Sequence, residues 1–111
     1  MSSVPPELLR AIQVADETGT LVYGARSVKK LLLHGKAKAV VIAANAPPEL
    51  KQDIKYYAKL SGIPVIKFNG TNIELGSVLG RPHGILVLAI VNPGQSNILE
   101  IAEKVGAVEQ Q

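Results

Sequence analysis

The chain has 111 residues, 47% hydrophobic and 19% charged, with a formal net charge of +3, a composition that suits one globular domain spanning 1–111 with a core of its own. It contains no cysteine, which excludes disulfides, thiolate catalysis and zinc–thiolate sites. No apolar run approaches the roughly 20 residues a membrane helix needs, and Met1-Ser2-Ser3-Val4-Pro5 shows no basic region followed by an apolar one, so a cytoplasmic protein without membrane contact is expected.

Helical and strand periods alternate along the chain. Pro5 and Pro6 can open a helix in which Leu8, Ala11, Ile12 and Ala15 share a face; Gly19 is expected to stop it in a left-handed conformation. Thr20–Tyr23 predicts a short strand, and Gly24 a turn into a second helix with Val28, Leu31 and Leu32 inward, ending at His34-Gly35. Ala39–Ala43 is apolar without alternation, as in a strand covered on both faces. A third helix runs from Pro47-Pro48 to Gly62 with Leu50, Ile54, Tyr57 and Ala58 on one face, followed by a strand at 63–68. Thr71-Asn72-Ile73-Glu74 fits a capping box for a short helix closed by Gly80. Residues 85–91 form the longest apolar run and another buried strand. Asn92-Pro93-Gly94 then turns into a last helix with Ile98, Ile101, Ala102 and Val105 inward, and a loose tail is expected at 106–111. This alternation predicts an α/β sandwich, a sheet with helices on both faces.

Charge is distributed unevenly. Between Thr18 and Pro48 there is no Asp or Glu, while Arg26, Lys29, Lys30, Lys36 and Lys38 fall inside that stretch. A chain that clears acids from so long a segment is suited to a polyanion there. Catalytic signatures are missing by contrast. Gly19 and Gly24 have the spacing of the outer phosphate-loop glycines, but Ala25-Arg26 stands where Lys-Ser/Thr is needed. No dinucleotide fingerprint or nucleophile elbow occurs, and His34 and His83 lack metal-ligand spacing. No enzyme, cofactor or metal site is expected.

Four groups of residues remain. Gly24-Ala25-Arg26-Ser27 places a glycine and a cation at a strand-to-helix turn, where free N–H groups can receive a phosphate; it also reads as an ordinary turn. Lys29 and Lys30 add to that field, or form a solvated helix face. Asn45, at the carboxyl end of a buried strand, offers a donor and an acceptor to a base edge, or caps the third helix. The loop Gly80-Arg81-Pro82-His83-Gly84-Ile85 could hold an unstacked base, or be a glycine-rich turn. Lys51, Lys55 and Lys59 repeat along the third helix and read as its solvated face.

Gly24-Ala25-Arg26-Ser27, Ala43-Ala44-Asn45-Ala46-Pro47, Asp53-Ile54-Lys55-Tyr56-Tyr57-Ala58, Asn72-Ile73-Glu74-Leu75-Gly76, Leu79-Gly80-Arg81-Pro82-His83 and Leu88-Ala89-Ile90-Val91-Asn92-Pro93-Gly94 together resemble the large-subunit ribosomal protein thirty-e family. This family lies in the kink-turn RNA-binding superfamily, and the resemblance runs from about Leu8 to Leu99. It implies a three-layer α/β/α sandwich with a mixed four-stranded sheet. It also implies binding to a kink-turn, a duplex sharply bent at an internal loop, with ribosomal RNA and large-subunit ribosomal proteins as partners and a monomer when free. The RNA-contacting positions it carries over are Gly24, Arg26, Lys30, Asn45, His83 and Ile85, to which Ser27 and Arg81 are added as their neighbours. Ser27 stands where kink-turn readers outside the thirty-e family carry a glutamate, so their base-reading scheme does not transfer. His83 replaces a bulkier aromatic of the eukaryotic branch. Two other readings are a kink-turn protein of a guide-RNA modification or RNA-processing particle, and a small metabolite-binding or catalytic α/β domain.

Overall fold

The structure, a computed structural model, describes residues 5–109. Five helices and four strands alternate strictly: α1 (Pro6–Thr18), β1 (Thr20–Tyr23), α2 (Ala25–Leu33), β2 (Ala39–Ala43), α3 (Pro48–Ser61), β3 (Val65–Phe68), α4 (Asn72–Val78), β4 (Val87–Asn92) and α5 (Ile98–Glu109). The sheet order is β1-β4-β2-β3. β4 is antiparallel to both β1 and β2, and β2 is parallel to β3, which makes the sheet mixed.

The alternation of side chains along β2 divides the core. Ala39, Val41 and Ala43 face α1, α4 and α5, where they join Ile12, Ile66, Phe68, Leu75, Leu88, Ile90 and Ile98. Val40 and Ile42 face α2 and α3, with Val28, Leu32, Ile54, Ala58, Val87 and Ala89. Because β2 is buried at every position, it carries no polar face, and two apolar clusters hold the three layers together. The inward face predicted for α1 is the buried one, Leu8, Ala11, Ile12 and Ala15.

Three helices end at glycines in the left-handed region, Gly35, Gly62 and Gly80, where a side chain would strain the backbone. Gly19 behaves differently from the expectation. Its φ is −125°, so it is extended, not left-handed; it is needed because a Cβ there would run into the Asn92 carbonyl and the backbone of Pro93 and Gly94. α5 also departs from the expected pattern, since it remains helical past Gly106, where a tail was expected to begin. One glycine costs a helix only about 1 kcal/mol and does not by itself end it. The inward position predicted at Val105 falls among side chains that are not described, and residues 1–4 and 110–111 lie outside the described residues.

Topology decides where the loops meet. Since β4 runs against the other three strands, the carboxyl ends of β1, β2 and β3 lie at the same end of the sheet as the start of β4. The turn at Gly24, the segment after Ala43, the start of α4 and the loop before Val87 are thereby gathered at one end of the molecule.

Candidate nucleic-acid interface

The turn from β1 into α2 is built on Gly24, whose φ of 101° and ψ of 143° lie where side chains are strained. Its N–H donates to the Val87 carbonyl at 3.2 Å, tying the turn to β4. Glycine has no side chain with which to cap α2, so the N–H groups of the first turn have no side-chain acceptor. Arg26, Ser27 and Lys30 are exposed on that turn or just beyond it, and α2 has no acid in its first turn to offset them. Lys29 is different: its ammonium lies 2.9 Å from Asp53 Oδ2, so much of its charge is already offset within the protein.

Asn45 does not cap α3. The N-cap of that helix is Pro47, with no side-chain bond. Asn45 instead turns to α4: its Oδ1 accepts from the Asn72 N–H at 2.8 Å and its Nδ2 donates to Asn72 Oδ1 at 2.8 Å. A backbone N–H can only donate, so this fixes which end of the amide is oxygen. One N–H and one lone pair of Asn45 remain for a ligand. α4 itself begins with the predicted capping box, Thr71 Oγ1 accepting from the Glu74 N–H at 3.2 Å and the Glu74 carboxylate accepting from the Thr71 N–H. Lys51 is not simply solvated either, as its Nζ donates to the Ala44 carbonyl at 2.7 Å and brings a cation beside Asn45.

The loop before β4 is an extension of α4. Arg81 N–H donates to the Gly76 carbonyl at 2.8 Å and Gly80 N–H to that of Ser77 at 3.0 Å, the paired bonds of a Schellman ending with Gly80 left-handed. Gly76 and Gly84 allow two close approaches. A Cβ at Gly76 would collide with the His83 carbonyl oxygen, and one at Gly84 with the Asn72 side chain. Ile85 N–H donates to the Asn72 carbonyl at 2.9 Å. Arg81 and His83 are left exposed, while Ile85 is only 6% exposed and belongs to the core cluster.

These segments enclose an open depression of about 430 Å³, lined among others by Gly24, Arg81, His83 and Ile85. Four of the eight residues singled out in the sequence therefore share one concave surface. Arg26, Ser27, Lys30 and Asn45 do not line it; Asn45 reaches it through Asn72, which does. The sequence reading missed Tyr23, Leu50 and Asn72 as lining residues. Tyr23 is held by Asp16 Oδ1 at 2.6 Å, and burial, then that bond, raise its pKa. No group of three or more His, Cys, Asp or Glu side chains suited to a metal is present among the described residues.

A mixed four-stranded sheet between two helical layers, with exposed cations and glycine-lined loops gathered at one end, defines a small α/β/α sandwich protein with a surface suited to a polyanion. The chain belongs to the ribosomal protein L7Ae/L30e/S12e/Gadd45 family, which matches residues 7–100. Among its relatives, the large ribosomal subunit protein eL30 of Pyrobaculum calidifontis is 53% identical over 94 residues, 85% of this chain and 93% of that one. The eL30 of Aeropyrum pernix is 46% identical over 95 residues, 86% and 95% of the two chains. That of Methanothermobacter thermautotrophicus is 50% identical over 92 residues, 83% and 94%.

Proposed function

We propose that the protein is a structural component of the large ribosomal subunit in the cytoplasm, where it binds a kink-turn of ribosomal RNA and stabilises its bent form. The observation that carries this reading is the convergence at one end of the sheet. An uncapped helix start with Arg26 and Lys30 lies there, with an oriented asparagine amide and an open depression floored by Ile85. Phosphates need only cations. An amide with hydrogen-bonding capacity to spare and an apolar floor suit bases, and an unstacked base is what a sharply bent RNA exposes.

In this reading Gly24 lets the backbone approach the RNA without a Cβ in the way. The α2 N-terminus, Arg26 and Lys30 offset phosphates crowded by the bend. Asn45 meets a base edge, and His83 packs beside the unstacked nucleotide above Ile85. No bond is made or broken. The free energy of binding becomes free energy of folding for the RNA, with other large-subunit proteins as neighbours and a monomer as the free form.

The test is a gel-shift titration against a kink-turn RNA and a straight duplex of equal length and charge. The kinked RNA is expected to bind more tightly at physiological salt, with affinity falling as salt rises. Equal affinity for the two would refute the reading.

A further inference from the structure

Three side chains from separate elements form a chain at the mouth of the depression. The Tyr23 hydroxyl, at the end of β1, donates to Asp16 Oδ1 on α1 at 2.6 Å. The Tyr23 phenolic oxygen in turn accepts from Arg81 Nη2 at 3.2 Å, and the guanidinium carbon lies 4.8 Å from the Tyr23 ring centroid. A carboxylate can only accept, so Asp16 draws the phenolic proton to itself and turns a lone pair of the oxygen toward Arg81. Both Tyr23 and Arg81 line the depression. The backbone of Arg81 is held as well, by the bond from its N–H to the Gly76 carbonyl. Among the described residues the guanidinium makes no second hydrogen bond, so its remaining N–H groups are available to a ligand.

We infer that Asp16 and Tyr23 are positioning residues that hold the Arg81 guanidinium in place for a phosphate flanking the nucleotide seated in the depression, an inference that rests on the RNA reading above. An arginine side chain has much rotamer freedom, and ordering it on binding weakens affinity. Here the ring face, the phenolic oxygen and the helix ending order it beforehand. Asp16 is the discriminating residue. As a negative charge near an RNA surface it should oppose binding through its field; as the group that orients Tyr23 it should favour binding.

The experiment measures the affinity of the full chain for a kink-turn RNA across a salt series, with parent, Tyr23→Phe, Asp16→Ala, Arg81→Ala and the Tyr23→Phe/Arg81→Ala double variant. All are compared at a temperature where circular dichroism shows each free variant folded. Tyr23→Phe is expected to weaken binding roughly three- to ten-fold, the range for one side chain that must now be ordered on binding, with an unchanged salt slope because no charge is altered. Asp16→Ala is expected to weaken binding in spite of removing a negative charge, because the phenolic proton then has no acceptor to fix it. In the Arg81→Ala background, Tyr23→Phe should have no further effect. If the parent prefers kinked RNA and Asp16→Ala binds as tightly or more tightly, the positioning role fails alone. It fails equally if Tyr23→Phe costs the same with and without Arg81. If the parent has no preference for kinked RNA, the reading beneath it fails first.

Discussion

Asn45 shows how one side chain can be both structural and exposed. Its amide closes two hydrogen bonds with Asn72, and each end keeps capacity for one more partner. Replacing it with Ala should therefore move two measurements. Thermal stability should fall by about 1 kcal/mol, as for loss of a helix-capping group, because the Asn72 N–H loses its acceptor. Affinity for kinked RNA should fall by about 1–3 kcal/mol if the free N–H and lone pair meet a base edge. A stability loss with affinity intact would leave Asn45 a purely structural residue. In the sequence, Asn45 was legible as a polar residue at a strand end, but its partner was not. Asn72 lies 27 positions away and announces itself only as part of a capping box. Tyr23 was hidden for the same reason, since Asp16 and Arg81 lie 7 and 58 positions from it and a tyrosine in a short strand signals nothing by itself.

At the scale of elements, α2 and α4 bring different chemistry to the same end of the sheet. α2 begins at a glycine, has Arg26, Lys29 and Lys30, and includes no acid in its first turn. Arg26→Ala should weaken RNA binding and make the dependence of log affinity on log salt shallower by nearly one ion. An unchanged slope would remove Arg26 from the phosphate-binding surface. Lys29 is expected to contribute less than Lys30, because Asp53 is already 2.9 Å from it. α4 has no such charge and contributes geometry instead, its capping box fixing one end and its Schellman ending the other. Element positions were legible because their signals are local: apolar periodicity in α1, the Thr71-to-Glu74 spacing, and the glycines that close α2, α3 and α4. Gly19 shows the limit of such signals. A glycine required by a left-handed φ and one required by a neighbouring carbonyl read alike in sequence, and only the fold places Asn92 against it.

For the molecule as a whole, Ile85 joins the core to the surface. It is 6% exposed and packs in the same cluster as Leu75 and Leu88, yet it floors the depression. Ile85→Ala should cost about 2–5 kcal/mol of stability, the range for emptying a buried aliphatic site, measured by denaturant unfolding. RNA binding by the folded variant should weaken without a change in salt slope, since no charge is removed. Tight binding at parental strength would show that the floor of the depression does not touch the RNA. The sequence marked Ile85 both as the start of a buried strand and as a ligand contact. In the fold β4 begins two residues later, at Val87, and Ile85 is buried from the loop that leads into it, a place that local apolar periodicity does not distinguish from the strand itself.

The depression is held in shape chiefly by backbone. Gly24 bonds to Val87, Arg81 to Gly76 and Ile85 to Asn72, and Gly76 and Gly84 sit against their neighbours with no room for a methyl group. A surface fastened in this way has little slack with which to adapt to a partner. On the proposed function, the conformational search then belongs to the RNA: the protein is the mould, and the nucleic acid is the part that bends. Capture would proceed at a pace set by how often the internal loop visits its kinked shape, so RNA sequences that bend more readily would associate faster with an unaltered protein.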